Sequence, residues 1–155
     1  MVGKRKNYNS CCETCPSKSR KRKVHFGDFK RTVLSWDCTK QFVIYIVFCR
    51  ICRQQGVETV YLGQCKKLIK ERFTNARSEL NNFHKKNRKR HTNLQSHFAH
   101  THNITDPYLF QKEIEIAIIS EPIPNKIERE HTETTWKNEL KQATSKMKKV
   151  CVLNK

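Results

Sequence analysis

Val43-Ile44-Tyr45-Ile46-Val47 and, after a short interval, Val60-Tyr61-Leu62-Gly63 decide how this chain is read. Both runs are rich in β-branched and aromatic residues, which suit a pleated, buried surface. Gln54-Gln55-Gly56 stands between them and supplies a turn. Residues 42–48 and 58–62 are therefore expected to pair as an antiparallel hairpin with a somewhat long connection. Two tyrosines then fall at matching places on neighbouring strands, with Cys49-x-x-Cys52 in the connection.

Working outward, the apolar period changes after Lys66. Ile69, Phe73, Ala76 and Leu80 recur at helical spacing, with Lys70, Arg77 and Glu79 on other faces. Lys85, Lys86, Arg88, Lys89 and Arg90, between His84 and His91, are too charged for a core element and read as a loop. Residues 92–102 predict a short helix or turn. Glu113-Ile114-Glu115-Ile116-Ala117-Ile118-Ile119 alternates and then runs apolar, as a strand entering a core does, and Pro122 and Pro124 close it. Asn125 with Glu128 three residues later has the form of a helix N-cap; Ile127, Trp136 and Leu140 mark the apolar side of that last helix. The order β-β-α-β-α predicts an α/β domain, a small three-stranded antiparallel-type sheet flanked by helices. It spans residues 38–155 with a Lys-rich end. Residues 1–37 carry ten of the basic residues and no apolar periodicity, and read as a basic, Cys-containing, flexible arm.

Charge sets the partner class. In 155 residues, 32 Lys and Arg stand against 14 acids, a formal net charge of +18. Such a field suits a polyanion that releases condensed counterions on binding, so DNA is the expected partner. An anionic membrane surface is the weaker fit, and the apolar stretch 42–49 is far short of the roughly 20 residues a membrane span needs. The N-terminal Met1-Val2-Gly3-Lys4-Arg5-Lys6 has no apolar core behind it, and an intracellular, reducing compartment is expected. Lys18-Ser19-Arg20-Lys21-Arg22-Lys23 has the composition of a nuclear import signal or a DNA-contacting arm, which makes the nucleus the expected compartment; bare basic runs are as often solvated tails.

The paired tyrosine runs resemble the signature of the GIY-YIG nuclease family, written here Val-Ile-Tyr and Tyr-Leu-Gly. That family carries an arginine on the first helix after the second strand, matched by Arg72 in Lys70-Glu71-Arg72-Phe73. It also carries a glutamate on the last helix three residues before an aromatic, matched by Glu133 in Glu133-Thr134-Thr135-Trp136. The match runs from Cys38 to Leu140, and each motif gains its specificity from the others. The resemblance implies a metal-dependent DNA endonuclease that hydrolyses, or nicks, phosphodiester bonds. Glu133 would hold Mg²⁺ or Mn²⁺, which prefer carboxylate and water oxygens. Arg72 would brace the phosphate with its planar fork of donors. Tyr45 would be the general base, Tyr61 would orient water or phosphate, and Gly63 would let backbone approach closely. Taken singly, a strand tyrosine is a packing residue, Arg72 a solvated charge, and Glu133 one of three glutamates with Glu128 and Glu130. Departures are also visible: Val43 replaces the first glycine, Gln64 a small or hydroxyl residue, and Ala76, beside Arg77, a histidine one turn after the arginine.

Cys49-x-x-Cys52 together with His97-Phe98-Ala99-His100-Thr101-His102 has the ligand types and local spacings of a structural Cys2His2 Zn²⁺ site, with Cys49, Cys52, His97 and His102 preferred and His100, His84 or His91 as substitutes. The bland alternative buries Cys49 in its strand and leaves the histidines on a DNA-facing surface. With its cysteine-bearing basic lead-in, the chain looks most like the zinc-containing endonuclease domain of Penelope-like retroelements. There the domain is joined to a reverse transcriptase, which makes a reverse transcriptase domain or chain an implied partner. Cys12, Cys15, His25 and Cys38 are candidates for a second zinc element. Lys85, Lys86, Arg88, Lys89 and Arg90 and the run Arg20, Lys21, Arg22, Lys23 would grip DNA backbone without reading sequence. The rival reading is a catalytically inactive, zinc-stabilised nucleic-acid-binding module; a ribosomal-type RNA-binding protein would leave the ordered Tyr, Tyr, Arg and Glu unexplained.

Overall fold

Every residue from Val43 to Cys49 is buried, because this strand is covered on both faces. The structure, a computed structural model, describes residues 13–81 and 93–153. In chain order a 3-10 turn, Cys15–Ser17, precedes β1 (Lys23–Phe26), β2 (Phe29–Thr32), β3 (Val43–Cys49), α1 (Arg50–Gln54), β4 (Glu58–Cys65) and α2 (Ile69–Asn81). Then follow α3 (Asn93–Thr101), α4 (Pro107–Lys112), β5 (Ile114–Ile118), α5 (Lys126–Thr144) and β6 (Val150–Val152). The main sheet has the order β5-β3-β4-β6, and β1 and β2 form a separate two-stranded hairpin. Among the described residues no helix is long and apolar enough to cross a membrane.

Strand alternation divides the core in two. Val43, Tyr45, Val47 and Cys49 face α2, α3 and α4, where Ile69, Phe73, Leu80, Leu94, Phe98 and Phe110 are buried. Ile44, Ile46 and Phe48 face the other way, toward Val24 and Phe29 of the hairpin and Leu140 of α5. The expected hairpin is β3–β4, antiparallel, with Tyr45 opposite Gly63 and Tyr61 opposite Val47. The two tyrosines are therefore diagonal neighbours rather than directly facing. The long connection is α1, closed by Gly56 in the left-handed region (φ 84°), where a side chain is disfavoured.

Four differences from the sequence reading have physical causes. The sheet has four strands, not three: Val150-Cys151-Val152 pairs parallel with the start of β4, Glu58 opposite Val150, so the Lys-rich end contributes an edge strand. The described part of the arm, 13–37, is packed against the domain. Val24 and Phe29 point inward across a tight turn at Gly27 (φ 56°), and two inward residues are too few to show as a period. Ile127 is 79% exposed, so it does not mark the apolar side of α5; Arg129 turns inward instead and is 3% exposed. Finally, α4, which the sequence reading leaves uncalled, is a single short helix capped by Asp106, whose side chain accepts from Tyr108 and Leu109 N–H groups. The α5 cap is as read, Asn125 accepting from the Glu128 N–H at 2.9 Å. Lys85, Lys86, Arg88, Lys89, Arg90, His84, His91 and Cys12 lie outside the described residues.

Candidate functional site

Tyr45 sits in the middle of the buried face of β3, 1% exposed, its ring edge-on to Phe73 of α2 at 5.4 Å. Its phenol lies across Gly63 of β4. A Cβ at residue 63 would come within 2.7 Å of the Tyr45 Oη and 2.9 Å of Tyr61 Cε1. The requirement at this position is space, since Gly63 does not adopt a left-handed backbone. Arg72, on the first turns of α2, reaches over this pair and acts on both phenol oxygens through charge and hydrogen bonding. Burial pushes the Tyr45 phenol well above its ordinary range, against the pull of Arg72. Tyr61, less buried, is raised for the same reason, with the Glu133 carboxylate of α5 adding to the rise. The neighbouring Tyr45 oxygen in turn holds Arg72 firmly cationic.

The structure thus brings Tyr45, Tyr61, Gly63 and Arg72 together and sets Glu133 where its charge is felt at Tyr61. Both tyrosines carry their protons at neutral pH in this resting arrangement, because desolvation outweighs the pull of Arg72. Ala76 is buried in the core beneath α2. The guanidinium of neighbouring Arg77 is engaged with Thr14, Thr74, Gln111 and Glu13.

At the other end of β3 a second cluster forms. Cys49 ends the strand and caps α1, its sulfur accepting from the Cys52 N–H at 3.5 Å. His97 comes from α3, and His102 follows where that helix stops, beside Asn103 in the left-handed region (φ 54°). The ligand atoms of Cys49, Cys52, His97 and His102 all lie within 4.8 Å of one another. Cys49 Sγ to His102 Nε2 is 3.4 Å, Cys52 Sγ to His97 Nε2 3.4 Å, Cys52 Sγ to His102 Nε2 3.3 Å, and the two Nε2 atoms are 3.1 Å apart. A tetrahedral ion with bonds of about 2.3 Å to sulfur and about 2.0–2.1 Å to nitrogen requires about 3.6 Å for S···N and about 3.3 Å for N···N. The donor set therefore fits a metal such as zinc. Burial, with His102 adding, pulls His97 down to about 4, so it is neutral and able to ligate, and burial pushes the Cys49 thiol up to about 12. His100 is exposed and outside the cluster. Among the described residues Cys15, His25 and Cys38 form no second such group, and His25 is exposed.

Arg20, Lys21, Arg22 and Lys23 are exposed. Ser19 binds along β5, its N–H donating to Ile116 and its hydroxyl to Glu115, and the run then crosses to the face away from Tyr45. The structure does not bring these four to either cluster. Two residues unread in the sequence belong beside Glu133. Lys137 Nζ is 3.6 Å from its carboxylate, and Arg129 lies one turn earlier, donating to Gln64. The spacing Arg129, Glu133, Lys137 is a single i, i+4 stripe and is the signal that finds them. Compared with known proteins, the chain matches no family model, no curated protein and no solved structure.

Proposed function

We propose that this chain is a metal-dependent DNA endonuclease of the GIY-YIG type, with a structural zinc at Cys49, Cys52, His97 and His102. The single observation that carries the reading is Arg72 over both phenols, with Gly63 leaving the room their rings need. A half-buried cation flanked by two neutral hydroxyl groups is a costly arrangement for packing alone, but it is a preorganised receptor for a phosphate. Arg72 would take the non-bridging oxygens, and Tyr61, the less buried phenol, would orient the attacking water. Tyr45 keeps the role of base only once further positive charge faces it, since in the resting site burial holds its proton in place. Glu133, partly exposed and next to Tyr61, is the carboxylate that would hold Mg²⁺ or Mn²⁺. The ion would supply Lewis-acid stabilisation of charge developing on the phosphate. The order and positions of these residues support the GIY-YIG assignment, and the retroelement origin rests on the zinc ligands and the basic lead-in.

One observation favours the rival, a zinc-stabilised module that binds nucleic acid without cutting it: buried Ala76 supplies no proton donor or acceptor where the family has a histidine. Relaxation of supercoiled plasmid in Mg²⁺ or Mn²⁺ separates the two. Wild type should nick, while Glu133→Ala and Arg72→Ala should bind DNA without nicking it. Equal nicking by wild type and Glu133→Ala would overturn the proposal.

A further inference from the structure

Beside Arg72 a cleft of about 400 Å³ opens between the end of β4 and the first turns of α2 and α5. Lys66, Lys67, Lys126 and Arg129 line it with Arg72, against one carboxylate, Glu130. We propose that this cleft is a phosphate subsite that takes the nucleic-acid backbone next to the linkage held at Arg72; the assignment rests on the nuclease reading above.

Arg129 is the strongest sign. It is 3% exposed, and among the described residues its guanidinium donates to neutral oxygens: Gln64 Oε1, the Ile123 carbonyl at 3.0 Å and the Pro124 carbonyl at 3.2 Å. The Phe42 ring lies 5.4 Å beneath it, held by a left-handed backbone (φ 59°) that is uncommon for so bulky a residue. A buried cation fixed by neutral partners leaves its charge uncompensated for whatever enters the cleft. Lys126 points the same way. It occupies the first turn of a 19-residue helix, where a cation opposes the positive end of the helix dipole. Its own partner, Glu130 at 3.8 Å, is exposed. Lys126 is unfavourably placed for the dipole of α5, Arg129 is held rigidly at the cleft by its three bonds, and both are placed well for an anion. The occupant is a phosphodiester backbone rather than free phosphate, because the cleft continues from the guanidinium assigned to the scissile group.

The test is the salt dependence of binding to a short duplex oligonucleotide without divalent metal, read by fluorescence anisotropy. Each phosphate contact contributes about 0.9 to the slope of log K against log salt. The triple variant Lys66→Ala, Lys67→Ala, Lys126→Ala should lower that slope by about 2–3. The triple variant Lys146→Ala, Lys148→Ala, Lys149→Ala removes the same charge from exposed positions elsewhere and should lower it by less than about 1. If the two triples behave alike, the effect is net charge alone and the subsite is refuted, whatever the plasmid assay reports. If the cleft triple alone loses slope while wild type fails to nick, the subsite stands as a nucleic-acid grip and the nuclease reading falls.

Discussion

At one end of β3 stands Tyr45; at the other, on the same face of the strand, stands Cys49. Around Tyr45 the polar groups already satisfy one another: phenols keep their protons, Arg72 keeps its charge, and each is the other's partner. Around Cys49 the reverse holds. Two sulfurs and two imidazole nitrogens lie within 4.8 Å of one another, four of their separations being 3.1–3.4 Å, with four potential ligand atoms turned toward one point. The first cluster is complete as a protein. The second acquires its sense only with an ion at its centre, and it joins β3 and α1 to α3. Position on a strand does not distinguish them; the match between donors and acceptors does.

The largest effect expected from breaking this contrast comes from the cysteine end. Stripping the metal with a chelator, or making Cys52→Ser, should cost about 3–5 kcal/mol, less than the full binding energy of a zinc-finger peptide because this domain has a core of its own. For a chain of this size that is roughly 10 °C in thermal midpoint. Native mass spectrometry should show one zinc in wild type and none in Cys52→Ser. Acid should work in the same direction on the stripped protein. The folded His97 value of about 4 lies below its ordinary 6.5, so the unfolded chain takes up a proton first as pH falls. Stability from this group is present above about pH 6.5 and is lost as pH falls through about 4. A midpoint indifferent to chelation would remove the distinction between the two ends.

The tyrosine end should respond to Gly63→Ala instead. The added methyl meets Tyr45 Oη at 2.7 Å and Cζ at 2.8 Å, atoms of a ring packed on Phe73, so both phenols must shift. Overpacking of this kind costs about 1–3 kcal/mol. Nicking should disappear while zinc content is unchanged. Urea denaturation and metal analysis of the same sample would show both.

How much of this was legible follows from the kind of signal each part leaves. Cys49-x-x-Cys52 and His97…His102 are local spacings at the end of a strand and of a helix, so sequence alone picks the four ligands that the fold gathers. Ile69, Phe73, Ala76 and Leu80 announce α2 by period, and all are buried. Gly63 under Tyr45 follows from strand register, which a sequence specifies only through all its pairs together. β6 has three residues among lysines and owes its existence to pairing with β4, far away in the chain. Ile127 misleads because one apolar residue in the first turn of α5 carries little phase, while Arg129, polar by composition, takes the inward place because Gln64 and two carbonyls receive it.

The smallest expected change in stability is also the sharpest test of the contrast. Glu133 is partly exposed, and its ion pair is with Lys137, one turn along the same helix at 3.6 Å. Pairs of that kind are worth about 0.3–0.5 kcal/mol, so Glu133→Gln should leave the urea midpoint almost where it was. A residue whose ion-pair partner is a neighbour on its own helix, yet whose charge is felt at Tyr61, is free to serve a substrate. The same variant should therefore lose nicking with its fold, its zinc and its DNA affinity intact. Were Glu133→Gln to unfold as readily as Gly63→Ala, the carboxylate would belong to the scaffold. The tyrosine end would then be a packing solution like any other, and only the cysteine end would remain as a site.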